Sequence, residues 1–333
     1  MYSSDHNVAG GNNTHNNNNN VSVSNSVSHN SVSYNSVSHN SVSHHNPPHG
    51  EQPSKIVVFD LDETLGYFVE LSLFWDVLQS YFEDSPRHFN QALFNSLLDL
   101  FPEFIRPNMF QILQYVQYKR KIQSCDKIMI YTNNRHSPEW PQYIKGYFEQ
   151  KAIATSGSPV FDQIIHAFKI KGQLVETLRT TNKKTHGDLL KCTRLPKQTQ
   201  VCFVDNSLHF GMCSDTIYYI NVKSYIYKLP FRIMVDRFIQ SAAPRIQALR
   251  KCIINEKEFY TNMLSLLNEY DYKYVKKPTI EYDMDKVISK KLLHYLNRFF
   301  SPDMQFDTEQ VVVLNDVPTK KSNTRRKKHY KDK

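Results

Sequence analysis

The sequence has no apolar stretch long enough to cross a bilayer, and its N-terminus lacks the basic and apolar pattern of a secretory signal. Cysteine is scarce: there are five, an odd number, and none is closely paired with another. These absences argue against a disulfide scaffold, a zinc knuckle and a membrane contact. We therefore expect a protein of a reducing intracellular compartment, the cytoplasm or the nucleus.

The body of the chain also lacks a strong basic charge. Of the net +9, residues 320–333 contribute eight Lys or Arg and one Asp, residues 1–50 contain only Asp5, and the rest carries +3. The body therefore does not resemble a basic nucleic-acid-binding domain. The basic tail at 320–333 fits three roles equally: a nuclear-import signal, a nucleic-acid tether or a solubilising end.

The N-terminal segment has too few apolar residues to form a core. Residues 1–53 are rich in Asn, Ser and His and repeat the motif SVSHN with small variations. Such a segment buries too little surface to offset its chain entropy, so we predict a disordered tail. Seven of the fourteen histidines lie there. A metal-binding role is conceivable, but a low-complexity extension is the favoured interpretation.

From residue 54 the pattern predicts strands alternating with helices. Continuous apolar runs at 55–60, 126–134, 200–207 and 216–222 are typical of strands buried on both faces of a parallel sheet. Helical spacing follows at 69–83, 109–120 and 139–151. The sequence thus predicts an α/β fold with a parallel sheet over 54–235 and a helical insert at 68–101.

The C-terminal part, 236–319, is predicted to be helical. Periodic stretches run over 231–250 and 252–270, with an interruption at Pro244, and over 283–300. Asp283 or Asp285 is placed to cap the last helix. This region either packs on the sheet domain or forms a small helical appendage.

Polar residues follow three of the predicted strands. Asp60 and Asp62 follow the first, Thr132 ends the second, and Asp205 with Asn206 ends the third. Ligands of open parallel sheets bind beyond the carboxyl ends of the strands, so these side chains are expected to meet at one edge. Two lysines, Lys183 and Lys184, precede Asp205 by about twenty residues.

These residue types suit phosphoryl chemistry. A carboxylate such as Asp60 attacks phosphorus and forms an aspartyl-phosphate, while Asp62 protonates the leaving oxygen and then activates water. Mg²⁺ would bridge the carboxylates and the phosphate, held by Asp60, Asp62, Asp205 and Asn206. A lysine and the Thr132 hydroxyl would hold the remaining phosphoryl oxygens. In the loop, Thr64 is expected to brace the chain, and Glu63 is expected to point away.

These residues allow two other interpretations. DLDET resembles the start of an EF-hand calcium loop, but Leu65 stands where that loop needs Gly and Leu71 where it needs Glu. Asp205 and Asn206 could be simple turn formers, and either lysine a solvated charge. The order of the motifs and the apolar strands before them favour a shared site.

The motifs DLDETL (60–65), YT (131–132), a later lysine and VDNS (204–207) resemble the haloacid dehalogenase superfamily. The Glu-Thr-Leu ending, the DNS and the segment IRPNMFQIL (105–113) resemble its NLI-interacting-factor-like branch, phosphatases acting on the RNA polymerase II C-terminal domain. KCTRLP (191–196) is similar to stretches in versions from large DNA viruses and protists. The branch often carries a small β insertion, which is not evident between 133 and 183.

This resemblance implies a Rossmann-like fold and specific roles. Asp60 would be the nucleophile, Asp62 the general acid and base, and Mg²⁺ the cofactor. Thr132 and Asn133 with Lys184, or its neighbour Lys183, would bind the phosphate, and Asp205 with Asn206 would lie on the metal side.

Three functions follow as hypotheses. The first is a Mg²⁺-dependent phosphatase acting on phosphoserine or phosphothreonine in a phosphoprotein. The second keeps the chemistry but acts on a nucleotide or the phosphate end of a polynucleotide. The third is a partner-binding module without catalysis, which the presence of both Asp60 and Asp62 argues against.

Overall fold

The four apolar runs form neighbouring strands of one parallel sheet. The computed structural model describes residues 53–84, 86–306 and 310–315. Its strands are β1 (Lys55–Phe59), β2 (Lys127–Tyr131), β3 (Gln163–Ile165), β4 (Lys169–Ile170), β5 (Gln173–Leu174), β6 (Gln200–Asp205), β7 (Ile217–Val222) and β8 (Val311–Leu314). Six of them make a sheet in the order β3-β2-β1-β6-β7-β8, with every neighbouring pair parallel. The α/β architecture with a parallel sheet is therefore present.

The sheet is buried on both faces, which explains its uninterrupted apolar strands. In β1, Val57 and Phe59 pack into the larger core, whereas Ile56 and Val58 pack into a second core on the opposite face. All four side chains are fully buried. Alternate residues of a strand point to opposite faces, so a strand covered on both sides has no position for a polar residue until it ends.

Nine α-helices of the described chain cover the sheet and extend its larger core. They are α1 (Val69–Tyr81), α2 (Gln91–Leu98), α3 (Met109–Lys121), α4 (Trp140–Ser156), α5 (His186–Thr193), α6 (Phe231–Gln240), α7 (Pro244–Arg250), α8 (Glu256–Asn268) and α9 (Thr279–Phe299). The core on the α5 side is small and includes Leu189 and Cys192 of that helix. The predicted helical insert at 68–101 corresponds to α1 and α2. Within the described residues, no helix combines the length and the apolar character needed to span a membrane.

The structure contains strands that the sequence did not predict. β3 extends the sheet beside β2, and β4 with β5 forms a two-stranded hairpin between 133 and 183, where no β insertion was expected. These strands have only two or three residues, too few for a periodic pattern to be recognised. The hairpin turn, Lys171-Gly172, has positive φ at both residues, as a tight two-residue turn requires.

The C-terminal region packs on the α/β core. Phe259 of α8 lies edge-on to Tyr81 of α1, with ring centroids 4.8 Å apart, and is 5.7 Å from the ring of Phe238 in α6. Phe299 of α9 stacks on Tyr218 of β7. The described residues belong to one compact unit, and β8 adds an edge strand to a region predicted to be only helical.

The predicted cap of the last helix is wrong. α9 begins at Thr279, directly after Pro278, rather than near 283. Asp285 is buried inside the helix and pairs with the Lys277 ammonium instead of capping the backbone. A buried ion pair of this kind depends on residues that fold together, so local sequence does not reveal it. The predicted tails at 1–53 and 320–333 lie, apart from Pro53, outside the described residues.

Truncating Phe259 tests whether the C-terminal helices belong to the main core. Phe259→Ala removes a fully buried ring from the contacts with α1 and α6, so we expect a loss of about 3–5 kcal/mol in the free energy of unfolding. The control Ile254→Ala alters a fully exposed side chain and should change it by less than about 0.5 kcal/mol. Denaturant unfolding should show one transition at lower denaturant for Phe259→Ala. A separate early transition with an unchanged main midpoint would indicate an appendage.

Candidate active site

The reversal of strand order places the candidate site between β1 and β6. The chain runs outward from β1 to β2 and β3, then returns to the other side of β1 with β6 and continues to β7. Such a reversal leaves a crevice at the carboxyl ends of the two central strands. Asp60 is the first residue after β1, and its backbone N–H donates to the Val204 carbonyl of β6 at 2.8 Å. Asp205 is the last residue of β6.

A cleft of about 280 Å³ lies at this edge. It is lined by residues that end or follow β1, β2 and β6, and by Lys184, which precedes α5. The lining residues are Asp60, Asp62, Glu63, Asn133, Asn134, Lys184, Asp205, Asn206, Ser207 and His209. Every predicted site residue except Thr132 is among them. Thr132 is buried at the end of β2, where its hydroxyl accepts a hydrogen bond from the Asn134 backbone N–H at 2.9 Å.

One buried lysine joins the two central carboxylates. The Lys184 ammonium contacts Asp60 Oδ1 and donates to Asp205 Oδ2 at 2.7 Å. All three side chains are almost fully buried. Lys183, the other candidate from the sequence, is exposed, whereas Lys184 lies in the cleft. Burial alone would lower the pKa of Lys184, but Asp205 and Asp60 raise it and keep the side chain charged.

The two paired carboxyls differ in their proton affinity. Burial raises the pKa of Asp60 to about 7, with Asp205 and Asp62 adding to the rise and the Lys184 ammonium opposing it. Burial acts in the same direction on Asp205, but Lys184 and His209 outweigh it and lower its pKa. His209 Nε2 lies 3.3 Å from Asp205 Oδ2. Asp205 is therefore the fixed anion of the cluster, and Asp60 the more readily protonated one.

Asp62 has surroundings that suit a proton donor. Burial raises its pKa, and the amide of Asn134, which donates to Asp62 Oδ2 at 2.9 Å, offsets this only in part. The same Asn134 accepts from the His136 backbone N–H, which fixes the orientation of its side chain. Asn134 was not predicted as a site residue, because an Asn after a strand has the appearance of a turn former.

As predicted, Thr64 stabilises the loop that follows β1. Its hydroxyl lies 3.0 Å from Asp60 Oδ2 and 3.2 Å from Asn206 Oδ1, and it accepts from the Asn206 backbone N–H. The expectation that Glu63 points away is wrong. Glu63 lines the cleft and accepts from the Asn206 amide at 3.0 Å, because its φ of 59° turns the loop back toward β6.

Arg106 fixes the backbone of this loop. Its guanidinium is buried and donates from Nε to the Thr64 carbonyl at 2.6 Å, and from Nη2 to the carbonyls of Glu63 and Lys223. Gly66 completes the turn, since a Cβ there would lie 2.4 Å from the Phe104 carbonyl oxygen. The role of Arg106 was not predicted, because its partners are backbone atoms far away in the sequence.

A second buried arginine joins the remaining walls. Arg179 donates to the carbonyls of Thr132 at 3.1 Å and Lys183 at 3.1 Å, and to Asn133 Oδ1 at 2.8 Å. Its guanidinium also lies 4.8 Å from the centre of the Tyr131 ring. The end of β2 and the lysine segment are thereby fixed to each other. No sequence pattern marked Arg179, because it sits in an irregular loop.

The cleft offers oxygen atoms of the kind that a hard cation prefers as ligands. Four carboxylates and one lysine line it, so it carries a surplus of negative charge that would repel a phosphate. Within the described residues, no group of three His, Cys, Asp or Glu side chains is arranged to hold a metal ion. The oxygens of Asp60, Asp205 and Asn206, with the backbone carbonyl of Asp62, remain a set that Mg²⁺ prefers.

No protein-family model matches this chain, and neither a curated protein nor a solved structure matches it. Function is therefore inferred from the residues of the cleft and their geometry.

Replacing Lys184 tests the charge balance of the cluster. In metal-free Lys184→Met, Asp60 and Asp205 lose their shared cation, so their pKa values rise and stability is lost as pH increases through those values. We expect a deficit of about 3–5 kcal/mol in the free energy of unfolding at pH 8, and a smaller one at pH 5. Lys183→Met, at the exposed neighbour, is the matched control. Equal deficits at both pH values would contradict the assigned pairing.

Proposed function

We propose that this chain is a phosphomonoesterase of the haloacid dehalogenase type that works through an aspartyl-phosphate on Asp60. One observation carries the proposal. The Asp60 carboxylate is held by Lys184 on one oxygen and Thr64 on the other, at the strand-order reversal, beside a second acid of raised pKa. A nucleophile fixed on both oxygens has little orientational freedom left to lose in the reaction.

In the first step Asp60 attacks the phosphorus atom, and the bond to the leaving oxygen breaks. Asp62, whose pKa is raised by burial, donates a proton to the leaving oxygen. Lys184 stabilises Asp60 as a carboxylate before attack and faces the transferred group afterwards. The product alcohol departs, and the phosphoryl group remains on Asp60.

In the second step water hydrolyses the aspartyl-phosphate. Asp62 has given up its proton and accepts one from the attacking water, so both carboxyls return to their starting states. Asp205 stays anionic throughout, because the Lys184 ammonium and His209 lower its pKa. Bound Mg²⁺, held by Asp60, Asp205, Asn206 and the Asp62 carbonyl, would supply charge neutralisation for the incoming phosphate.

The size of the cleft supports a macromolecular substrate. At about 280 Å³ it is smaller than most pockets that enclose a whole small molecule. It has room for a phosphoryl group and the atoms next to it, with the rest of the substrate outside. We therefore propose phosphoserine or phosphothreonine in a protein, with a nucleotide or polynucleotide phosphate end as the alternative to test.

Removing the nucleophile should abolish phosphate release. Asp60→Asn should lower kcat on an aryl phosphate by roughly a thousandfold or more, because the covalent route is lost. Asp215→Asn, at an exposed aspartate outside the cleft, is the matched control. Retention of the parent rate by Asp60→Asn would show that the nucleophile is misassigned. Running the parent chain on a phosphopeptide and on a 3′-phosphorylated oligonucleotide separates the two substrate classes.

Metal removal tests the assigned cofactor. We expect EDTA treatment and dialysis to abolish activity and added Mg²⁺ to restore it. Asn206→Ala should raise the Mg²⁺ concentration for half-maximal rate by about tenfold or more. Ser224→Ala, which removes only a partner of the Asn206 amide, should have a smaller effect. Full activity in EDTA would disprove the metal requirement.

A further inference from the structure

The loop after β6 exposes the one phenylalanine that the fold leaves in solvent. All twenty phenylalanines lie within the described residues, and Phe210 alone among them is exposed, at 81%. Leu208, two residues earlier, is 47% exposed. Single exposed apolar side chains are common, whereas apolar side chains grouped at the surface can mark an interaction site.

The loop that carries this pair is firmly attached to the fold. The Ser207 N–H donates to Asp205 Oδ1 at 2.7 Å, and its carbonyl accepts from the Tyr219 hydroxyl. That hydroxyl also accepts from the His209 N–H at 3.1 Å. Fixed backbone of this kind presents Leu208 and Phe210 in a defined place, so binding there would cost little conformational entropy.

The far side of the loop packs against the catalytic lysine segment. Met212 is fully buried, and its N–H donates to the His209 carbonyl at 2.9 Å. A Cβ on Gly211 would lie 2.9 Å from Thr185 Cγ2 and 3.0 Å from the Lys184 carbonyl oxygen. The exposure of Phe210 is thus a consequence of close packing beneath it, rather than of a loose chain.

The pair lies directly beside the proposed site. Ser207 and His209 line the cleft, and His209 has extended backbone angles with its ring turned toward Asp205. Leu208 and Phe210 flank His209 in the chain, and Phe210 begins a 3₁₀ turn over Phe210–Met212, so both exposed side chains belong to the short loop that borders the cleft. A substrate chain with its phosphate near Asp60 would meet this pair where it leaves the cleft over the loop after β6.

We propose that Leu208 and Phe210 form a subsite for an apolar side chain of a polypeptide substrate, within two residues of the phosphorylated one. This inference rests on the proposed function. A substrate confined to the cleft would not reach the pair. A polynucleotide needs cationic side chains along its backbone, and residues 207–216 contain no Lys or Arg and include Asp215. An apolar peptide side chain is the occupant that matches both the chemistry and the charge.

A catalytic comparison tests the subsite. Kinetics are measured on an aryl phosphate and on phosphoserine peptides with Leu or Ala next to the phosphorylated residue. For Phe210→Ala, the ratio of kcat/KM on the Leu peptide to that on the aryl phosphate should fall about tenfold, through KM. Tyr118→Ala, at a 56% exposed aromatic of α3, is the matched control and should not change this ratio. An unchanged ratio for Phe210→Ala would overturn the subsite.

A binding measurement separates failure of the subsite from failure of the proposed function. Fluorescence anisotropy of the labelled Leu phosphopeptide with Asp60→Asn gives a Kd without turnover. Adding Phe210→Ala should raise that Kd about tenfold, and this result supports the subsite even if the parent chain releases no phosphate, which would refute only the function. An equal Kd overturns the subsite. A loss of affinity for a 3′-phosphorylated oligonucleotide but not for the peptide overturns it in favour of base stacking.

Discussion

The buried contact of Lys184 with Asp60 and Asp205 is the interaction on which the rest of the site depends. Two carboxylates buried side by side repel each other, and a cation between them offsets part of that cost. The ammonium is placed there by the end of the segment before α5, and the carboxylates by the ends of β1 and β6. Three distant parts of the chain therefore have to fold correctly before the cluster is stable.

Two arginines give these parts their fixed positions. Arg106 binds the backbone of the loop after β1, and Arg179 ties the end of β2 to the lysine segment. A guanidinium presents several N–H donors in one plane, so a single side chain can satisfy carbonyls from different loops. Both are buried, and both use charge to order the backbone rather than to contact the cleft directly. Lys184, by contrast, is a cation that contacts the carboxylates themselves.

The C-terminal helices connect this site to the rest of the molecule. Tyr225, which follows β7, donates its backbone N–H to the Glu63 carbonyl at 2.8 Å, and Lys277 lies 4.6 Å from the centre of its ring. Lys277 in turn pairs with Asp285 of α9. The loop that carries the proposed chemistry thus rests on a region that the sequence left open as either a packed layer or an appendage. Because Phe259 and Phe299 are buried, the C-terminal helices form a packed layer.

The apolar strands, their parallel arrangement and the polar residues that end them could be predicted from the sequence, because these depend on periodicity and on the position where a buried strand stops. The sequence could not choose Lys184 over Lys183, find Arg106, Arg179 or Asn134, or orient Glu63. Those outcomes depend on contacts between residues far apart in the chain and on one positive φ angle in the loop. β3 and the hairpin were too short to show a period, and β8 pairs with β7, which lies about ninety residues earlier in the chain. Residues far apart in the chain meet only in the tertiary structure. Burial and charge pairing between them therefore cannot be predicted from the local sequence around each one.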